Sequence, residues 1–310
     1  MVWLLSLLRA AESPIISFSI IEAPSVLGLF PKGVETLPDA LLDAGLAERL
    51  GAERFGRIEP PPYDPRRDAA TKLLNPQGIA DYSRALADAI ARARGDGKFP
   101  VVLGGDCSIL LGCMLAMRRD RRAGLLFLDG HADFYQPEVE PNGEAASMEL
   151  ALATGRGPEI VTDLEGLRPL VRDEDVVALG CRDAEQAEKH GSQRVEDTDI
   201  EVIDLAAFRR AGATAAAEKA LICLKRTALD GFWIHLDADV LDDAVMPAVD
   251  YRLPNGLQWN ELSSVLRTAI RSGRALGIDI TIFNPKLDET GEIGRSFVDT
   301  LVAGLSADAR

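Results

Sequence analysis

Residues 125–135 read LLFLDGHADFY. A run of apolar side chains stops at Asp129, and His131 and Asp133 follow at two-residue spacing. In extended backbone alternate side chains share a face, so these three converge if the strand geometry continues past its end. On a helix His131 would point away from both acids. The preceding run AGLLFL (123–128) favours the strand. With three histidines in 310 residues, one placed here carries weight.

The same ending occurs twice more. GFWIHLDADVLD (231–242) closes an apolar run with Asp237 and Asp239, again two apart. FPVVLGGDCS (99–108) closes with Gly104, Gly105, Asp106, Cys107 and Ser108, where glycine permits a tight turn and close backbone approach. Further buried runs are PIISFSII (14–21), EDVVALGCRD (174–183) and RALGIDITIFNP (274–285). Helical patterns separate most of them, at 38–50, 78–97 and 291–305. Continuous apolar strands alternating with helices predict an α/β fold, a mostly parallel sheet covered on both faces in three layers, α/β/α. The stretches 59–67 and 137–143 read as loops, and no repeat or composition break divides the chain. A single domain over 1–310 is expected. Segment 191–220 is polar and then alanine-rich, and its element edges are not legible.

In open α/β sheets ligands sit in the crevice beyond the carboxyl ends of the strands, so all three polar endings can meet. Four carboxylates gathered there cannot all stay ionised alone. Divalent cations resolve the conflict. Asp, His and Cys are metal ligands, and carboxylates bridge paired ions roughly 3.5–4 Å apart. A lone Asp-x-His or Asp-x-Asp is most often a loop feature. Their joint placement after buried strands points to a metal site of Cys107, Asp129, His131, Asp133, Asp237 and Asp239.

The chain carries 34 basic and 49 acidic residues, a net charge of −15. That balance argues against nucleic acid or an anionic membrane surface as partner. Four cysteines without a CxxC pair fit a reduced, cytoplasmic setting. The apolar start MVWLLSLLRAAESP is too short to span a bilayer and reads as a short helix, with a cleaved signal as the alternative.

The three endings, GGDCS (104–108), DGHAD (129–133) and DADVLDD (237–243), resemble in order the GGDHS, DAHxD and DxDxxDP motifs of the ureohydrolase superfamily: arginases, agmatinases, formimidoylglutamases and relatives. The opening SIIEAPSVLGLFPKGVETLPDALLDAGL (19–46), LGCRDAE (179–185) and DITIFNP (279–285) are also similar to family segments, so the likeness spans nearly the whole chain. The resemblance implies an arginase-like α/β/α fold around an eight-stranded sheet and two manganese ions bridged by a hydroxide. Carried over residue by residue, one ion takes Cys107, Asp129, Asp133 and Asp237. The other takes His131, Asp129, Asp237 and Asp239. The implied chemistry is hydroxide attack on an amidine or guanidine carbon, cleaving a C–N bond, with Asp129 relaying the proton. A homo-oligomer, trimer or hexamer, is implied as well.

The chain departs from that pattern in four places. Cys107 replaces a histidine, and a thiolate favours Zn2+, Fe2+ or Co2+, with Ni2+ also open, over Mn2+. One branch acting on hydroxylated arginine resembles this chain in carrying Cys there. The loop PNGEAASMELALATGRG (141–157) lacks the family's histidine, and Glu144 is the candidate to replace it in catalysis and substrate binding. Glu149 is the second candidate for that role, with a solvated helix charge as the competing reading. The family's guanidinium-binding Glu falls on Ile282, which cannot pair with a guanidinium, so the expected substrate is an amidine or guanidine other than plain arginine. Asp243 stands where the family has Pro, and Tyr251 or Arg252 is placed to reach a substrate carboxylate. Glu185, at the position of a family Asp, is a candidate for a substrate ammonium. His235, two residues before Asp237, is open between support for the metals and a packed core role. The competing readings are a family-derived subunit with a regulatory role, and hydrolysis of a hydroxyguanidine or formimidoyl compound.

Overall fold

Every residue of AGLLFL (Ala123–Leu128) is buried, which is why a segment with no polar face is stable as a strand. Alternate residues serve two separate cores. Leu126 and Leu128 join Ile234 and Leu236 on one face, whereas Leu125 and Phe127 join Trp233 on the other. The computed structural model describes residues 16–306, so the apolar N-terminal run lies outside the described residues.

The strands are β1 (Phe18–Glu22), β2 (Glu53–Arg57), β3 (Phe99–Leu103), β4 (Ala123–Leu128), β5 (Val176–Leu179), β6 (Glu201–Ile203), β7 (Gly231–Asp237) and β8 (Ala275–Thr281). They form one sheet of order β2-β1-β3-β8-β7-β4-β5-β6 with every pairing parallel. Parallel neighbours need crossovers, and the helices supply them. These are α1 (Leu37–Asp43), α2 (Leu46–Leu50), α3 (Pro76–Gly95), α4 (Leu110–Arg118), α5 (Glu149–Ala153), α6 (Glu159–Thr162), α7 (Ala184–His190), α8 (Leu205–Ala211), α9 (Ala213–Leu224), α10 (Trp259–Arg271) and α11 (Glu292–Leu305). Apolar residues of α3 to α6 fill one core, and those of α1, α2 and α8 to α11 fill the other, giving the three layers expected.

Three local readings change. The helix expected over 38–50 is split into α1 and α2 by Gly45, whose φ of 87° no branched side chain adopts cheaply. The edge strand β2, ERFGR, is almost wholly exposed and carries no apolar run to announce it. Segment 191–220 holds β6, only three residues long and half-buried, then α8 and most of α9. Among the described residues no helix is long and apolar enough to cross a membrane.

Candidate metal centre

The chain leaves β3 and enters β4 three places along the sheet, and β8 and β7 later fill the gap. The carboxyl ends of β3, β8, β7 and β4 therefore lie side by side, at the kind of strand-order break where α/β sheets bind ligands. Pairing fixes what meets there. Leu128 lies beside Leu236 and Asp237 beside Thr281, so Asp129 follows β4 directly next to the end of β7.

Local geometry turns each ending inward. After β3, a Cβ on Gly105 would lie 1.8 Å from the carbonyl oxygen of Ser25, so only glycine fits. That same oxygen accepts from the Asp106 amide at 2.9 Å, and Asp106 accepts from the Ser108 amide at 2.8 Å, which fixes the turn carrying Cys107. Asp129 accepts from the His131 amide at 2.7 Å, and Asp237 accepts from the Asp239 amide at 2.7 Å. In both Asp-x-(His/Asp) segments the first carboxylate thus holds the backbone of the second ligand candidate.

The six candidates converge. The Cys107 thiol donates to Asp237 at 2.9 Å and lies 3.1 Å from the Thr281 hydroxyl. His131 Nδ1 lies 2.9 Å from Asp239 and 3.8 Å from Asp129. Asp133, at a left-handed φ of 44°, faces a cavity of about 140 Å³ together with His131, Asp237, Asp239, Glu144 and Ile282. Asp129 does not line that cavity and is fully buried beside His131.

Electrostatics show the strain of the assembly. Burial, then the neighbouring carboxylates, push Asp129, Asp133 and Asp237 well above the usual carboxylate range. Burial followed by Asp237 pushes the Cys107 thiol up. Burial opposes charge on His131, but Asp239 outweighs it and raises the imidazole to about 9. Burial likewise opposes the Asp239 carboxylate, yet His131 holds it below its ordinary value. An acceptor-rich pocket of this kind is stabilised by cations.

The substrate-side residues divide. Glu144 lines the cavity, buried, with Oε2 accepting from the Tyr251 hydroxyl at 2.6 Å. Glu185 does not reach it. It sits on the outer side of α7, paired with Lys189 at 2.8 Å, and its neighbour Gln186 lines the cavity instead. Arg252 also points elsewhere, to Asp243 at 3.4 Å, and its neighbour Tyr251 lines the cavity. A one-residue step decides which side chain faces inward, and motif position does not resolve it.

Two residues gain weight over their sequence reading. Glu149 is fully buried rather than solvated, lies against the Asp133 carboxylate, and neither of its oxygens has a geometric hydrogen-bond partner among the described residues. His235 is fully buried, stacked on Phe127 with ring centroids 4.9 Å apart. Its Nδ1 lies 2.5 Å from Asp279, whose other oxygen accepts from Trp233 Nε1 at 2.5 Å. His235 Nε2 and Asp129 Oδ2 are both buried without partners, 3.9 Å apart. Orphaned acceptors in a thiol, imidazole and carboxylate set are what divalent ions satisfy, so the residues present fit a metal centre.

Fold and site together define an α/β protein with a cation site at the carboxyl edge of a parallel sheet. Comparison with known proteins narrows this. The sequence model of the arginase family matches residues 17–305. The chain is 30% identical to an arginase of Bacillus caldovelox over 278 residues, 87% of this chain and 92% of that one. It is 29% identical to an arginase of Staphylococcus aureus over 295 residues, 92% and 96% of the two chains. The crystal structure of the Bacillus caldovelox arginase superposes with a TM-score of 0.84 at 27% identity, over 95% of this chain and all of that one. Proclavaminate amidino hydrolase from Streptomyces clavuligerus shares the fold at a TM-score of 0.67 and 17% identity, over 94% and 92%. The chain belongs to the arginase family and is an amidinohydrolase of the ureohydrolase type.

Proposed function

We infer that the protein is a binuclear metal hydrolase that cleaves a C–N bond in a linear amidine or guanidine other than arginine. The observation that carries this reading is Ile282. It lies in the cavity beside His131, Asp133, Asp237 and Asp239, where the family resemblance calls for a carboxylate to grip a guanidinium. A cation can still enter, drawn by the acidic lining, but Ile282 offers it an apolar contact.

Cys107, Asp129, His131, Asp133, Asp237 and Asp239 would hold the ions. Bound divalent ions would supply Lewis acidity and a water nucleophile near neutral pH. The protein's own contribution is orientation and proton handling. Asp239 fixes the His131 ring through the 2.9 Å contact. Glu144, anchored by Tyr251 on one oxygen and unpartnered on the other, would pair with substrate or carry a proton to the leaving amine. Cys107 favours Zn2+, Fe2+ or Co2+ over the Mn2+ that the resemblance implies.

The test is a panel of guanidino, hydroxyguanidino and formimidoyl compounds, with release of urea, hydroxyurea, ammonia or formamide as readout and each metal supplied in turn. A member of the panel turned over well above arginine supports the reading. Arginine as the best substrate overturns it.

A further inference from the structure

Cys107 removes one imidazole from the family's ligand pattern, and a second imidazole, His235, lies on strand β7 beside the same carboxylates. In the sheet, His235 on β7 pairs with Asp279 on β8, so the Asp279 carboxylate meets the His235 ring edge-on. A carboxylate accepts, so Nδ1 carries the proton in that contact and Nε2 keeps its lone pair in the neutral ring. That lone pair faces the Asp129 Oδ2 lone pairs across 3.9 Å, with both atoms buried and unpartnered. Two buried acceptors facing each other repel unless a proton or a metal cation lies between them, and 3.9 Å is too long for a proton to bridge as a hydrogen bond. Nitrogen and oxygen each bind a divalent ion at roughly 2.0–2.2 Å, so one ion can touch both across that gap.

Two further sets surround the same nitrogen. Cys107 and Asp237 offer donor atoms that lie, with one on His235, within 4.8 Å of one another, and Asp129 and Glu149 do the same. Glu149 reaches in from α5 with both oxygens unpartnered, although a buried carboxylate is costly without a counter-charge. The contact of Asp279 with the far side of the His235 ring is the arrangement by which carboxylates orient metal-binding histidines.

We propose that His235 is a metal ligand through Nε2, substituting for the imidazole absent at Cys107, and that Glu149 joins it as a fifth carboxylate of the centre. This rests on the reading of the site as a metal centre. His235 Nε2 and both Glu149 oxygens have no hydrogen-bond partner among the described residues, and these atoms lie close to Asp129.

The test uses the full chain, stripped with a chelator and reloaded with Co2+. Paramagnetically shifted imidazole N–H protons in the proton NMR spectrum count the bound histidines, and titration calorimetry gives affinity. Two shifted imidazole protons are expected. His235→Asn should remove one and weaken Co2+ binding at least 10-fold. Asp279→Asn, which keeps the imidazole, should move that same signal and weaken binding about 10- to 100-fold. Glu149→Gln should weaken binding about 10-fold with both signals retained. A single shifted imidazole in the parent protein, or unchanged affinity in both His235→Asn and Asp279→Asn, overturns the assignment of His235. Unchanged affinity in Glu149→Gln overturns that of Glu149. Failure to bind Co2+, Mn2+ or Zn2+ at all would overturn the metal centre itself, a separate outcome.

Discussion

Replacing Ile282 by Glu should convert this cavity toward arginine. Ile282 is 5% exposed, lines the cavity and holds a left-handed φ of 70°. A β-branched residue is strained there by about 1–3 kcal/mol, and an unbranched Glu relieves part of that, so the fold should tolerate the change. Removing one partner of a buried charge pair costs about 2–5 kcal/mol, and each 1.4 kcal/mol is tenfold, so supplying the missing carboxylate is worth about 30-fold to a few thousand-fold. The lower figure is the one expected. Asp133, Asp237 and Asp239 already share the cavity and oppose a further negative charge. The assay is urea release from arginine at saturating metal, with kcat and KM determined separately. Ile282→Gln serves as an uncharged control of similar shape. A gain of about 30-fold in kcat/KM for Ile282→Glu, absent in Ile282→Gln, is the expected outcome. Efficient arginine hydrolysis by the parent, or equal effects of Glu and Gln, would refute the reasoning.

Tyr251→Phe removes the 2.6 Å hydrogen bond to Glu144 and should cost about 1–3 kcal/mol in thermal unfolding while metal content stays unchanged. Gly105→Ala should abolish metal binding, because its Cβ would strike the Ser25 carbonyl and displace the turn that carries Cys107; normal metal content would contradict this. Cys107→His should raise affinity for Mn2+ relative to Zn2+ in competition titrations, since imidazole is the harder ligand. The metal-stripped protein should lose stability as pH rises. Asp129, Asp133 and Asp237 bind protons more tightly folded than unfolded, and His131 is raised from 6.5 to about 9. Their contribution is therefore full below their unfolded values and lost as pH climbs through the folded ones, up to about 9 for His131. Metal needs the deprotonated ligands, so melting curves with metal and with chelator should diverge between pH 5 and 9, and parallel curves would count against it.

The apolar runs and the three inward endings were readable in the sequence, whereas the exposed edge strand β2 and the short β6 were not. Runs such as AGLLFL bury both faces and read as parallel strands without any tertiary information. Ligand candidates spaced two apart beyond a strand end share a face by backbone geometry alone, so Asp129, His131, Asp133, Asp237 and Asp239 were legible. Motif resemblance added the expected chemistry. Only the tertiary structure decided what touches those residues from other segments. His235 acquires its orientation from Asp279 because β7 and β8 become neighbours in one register, a pairing that local sequence does not encode. Glu149 is buried because packing presses a one-turn helix against the site, whereas helical pattern alone makes it a surface charge. Glu185 and Arg252 fall outside the cavity because their neighbours Gln186 and Tyr251 face it. Which way a loop or helix side chain turns is set by packing energies of the whole fold, and those are not additive along the chain.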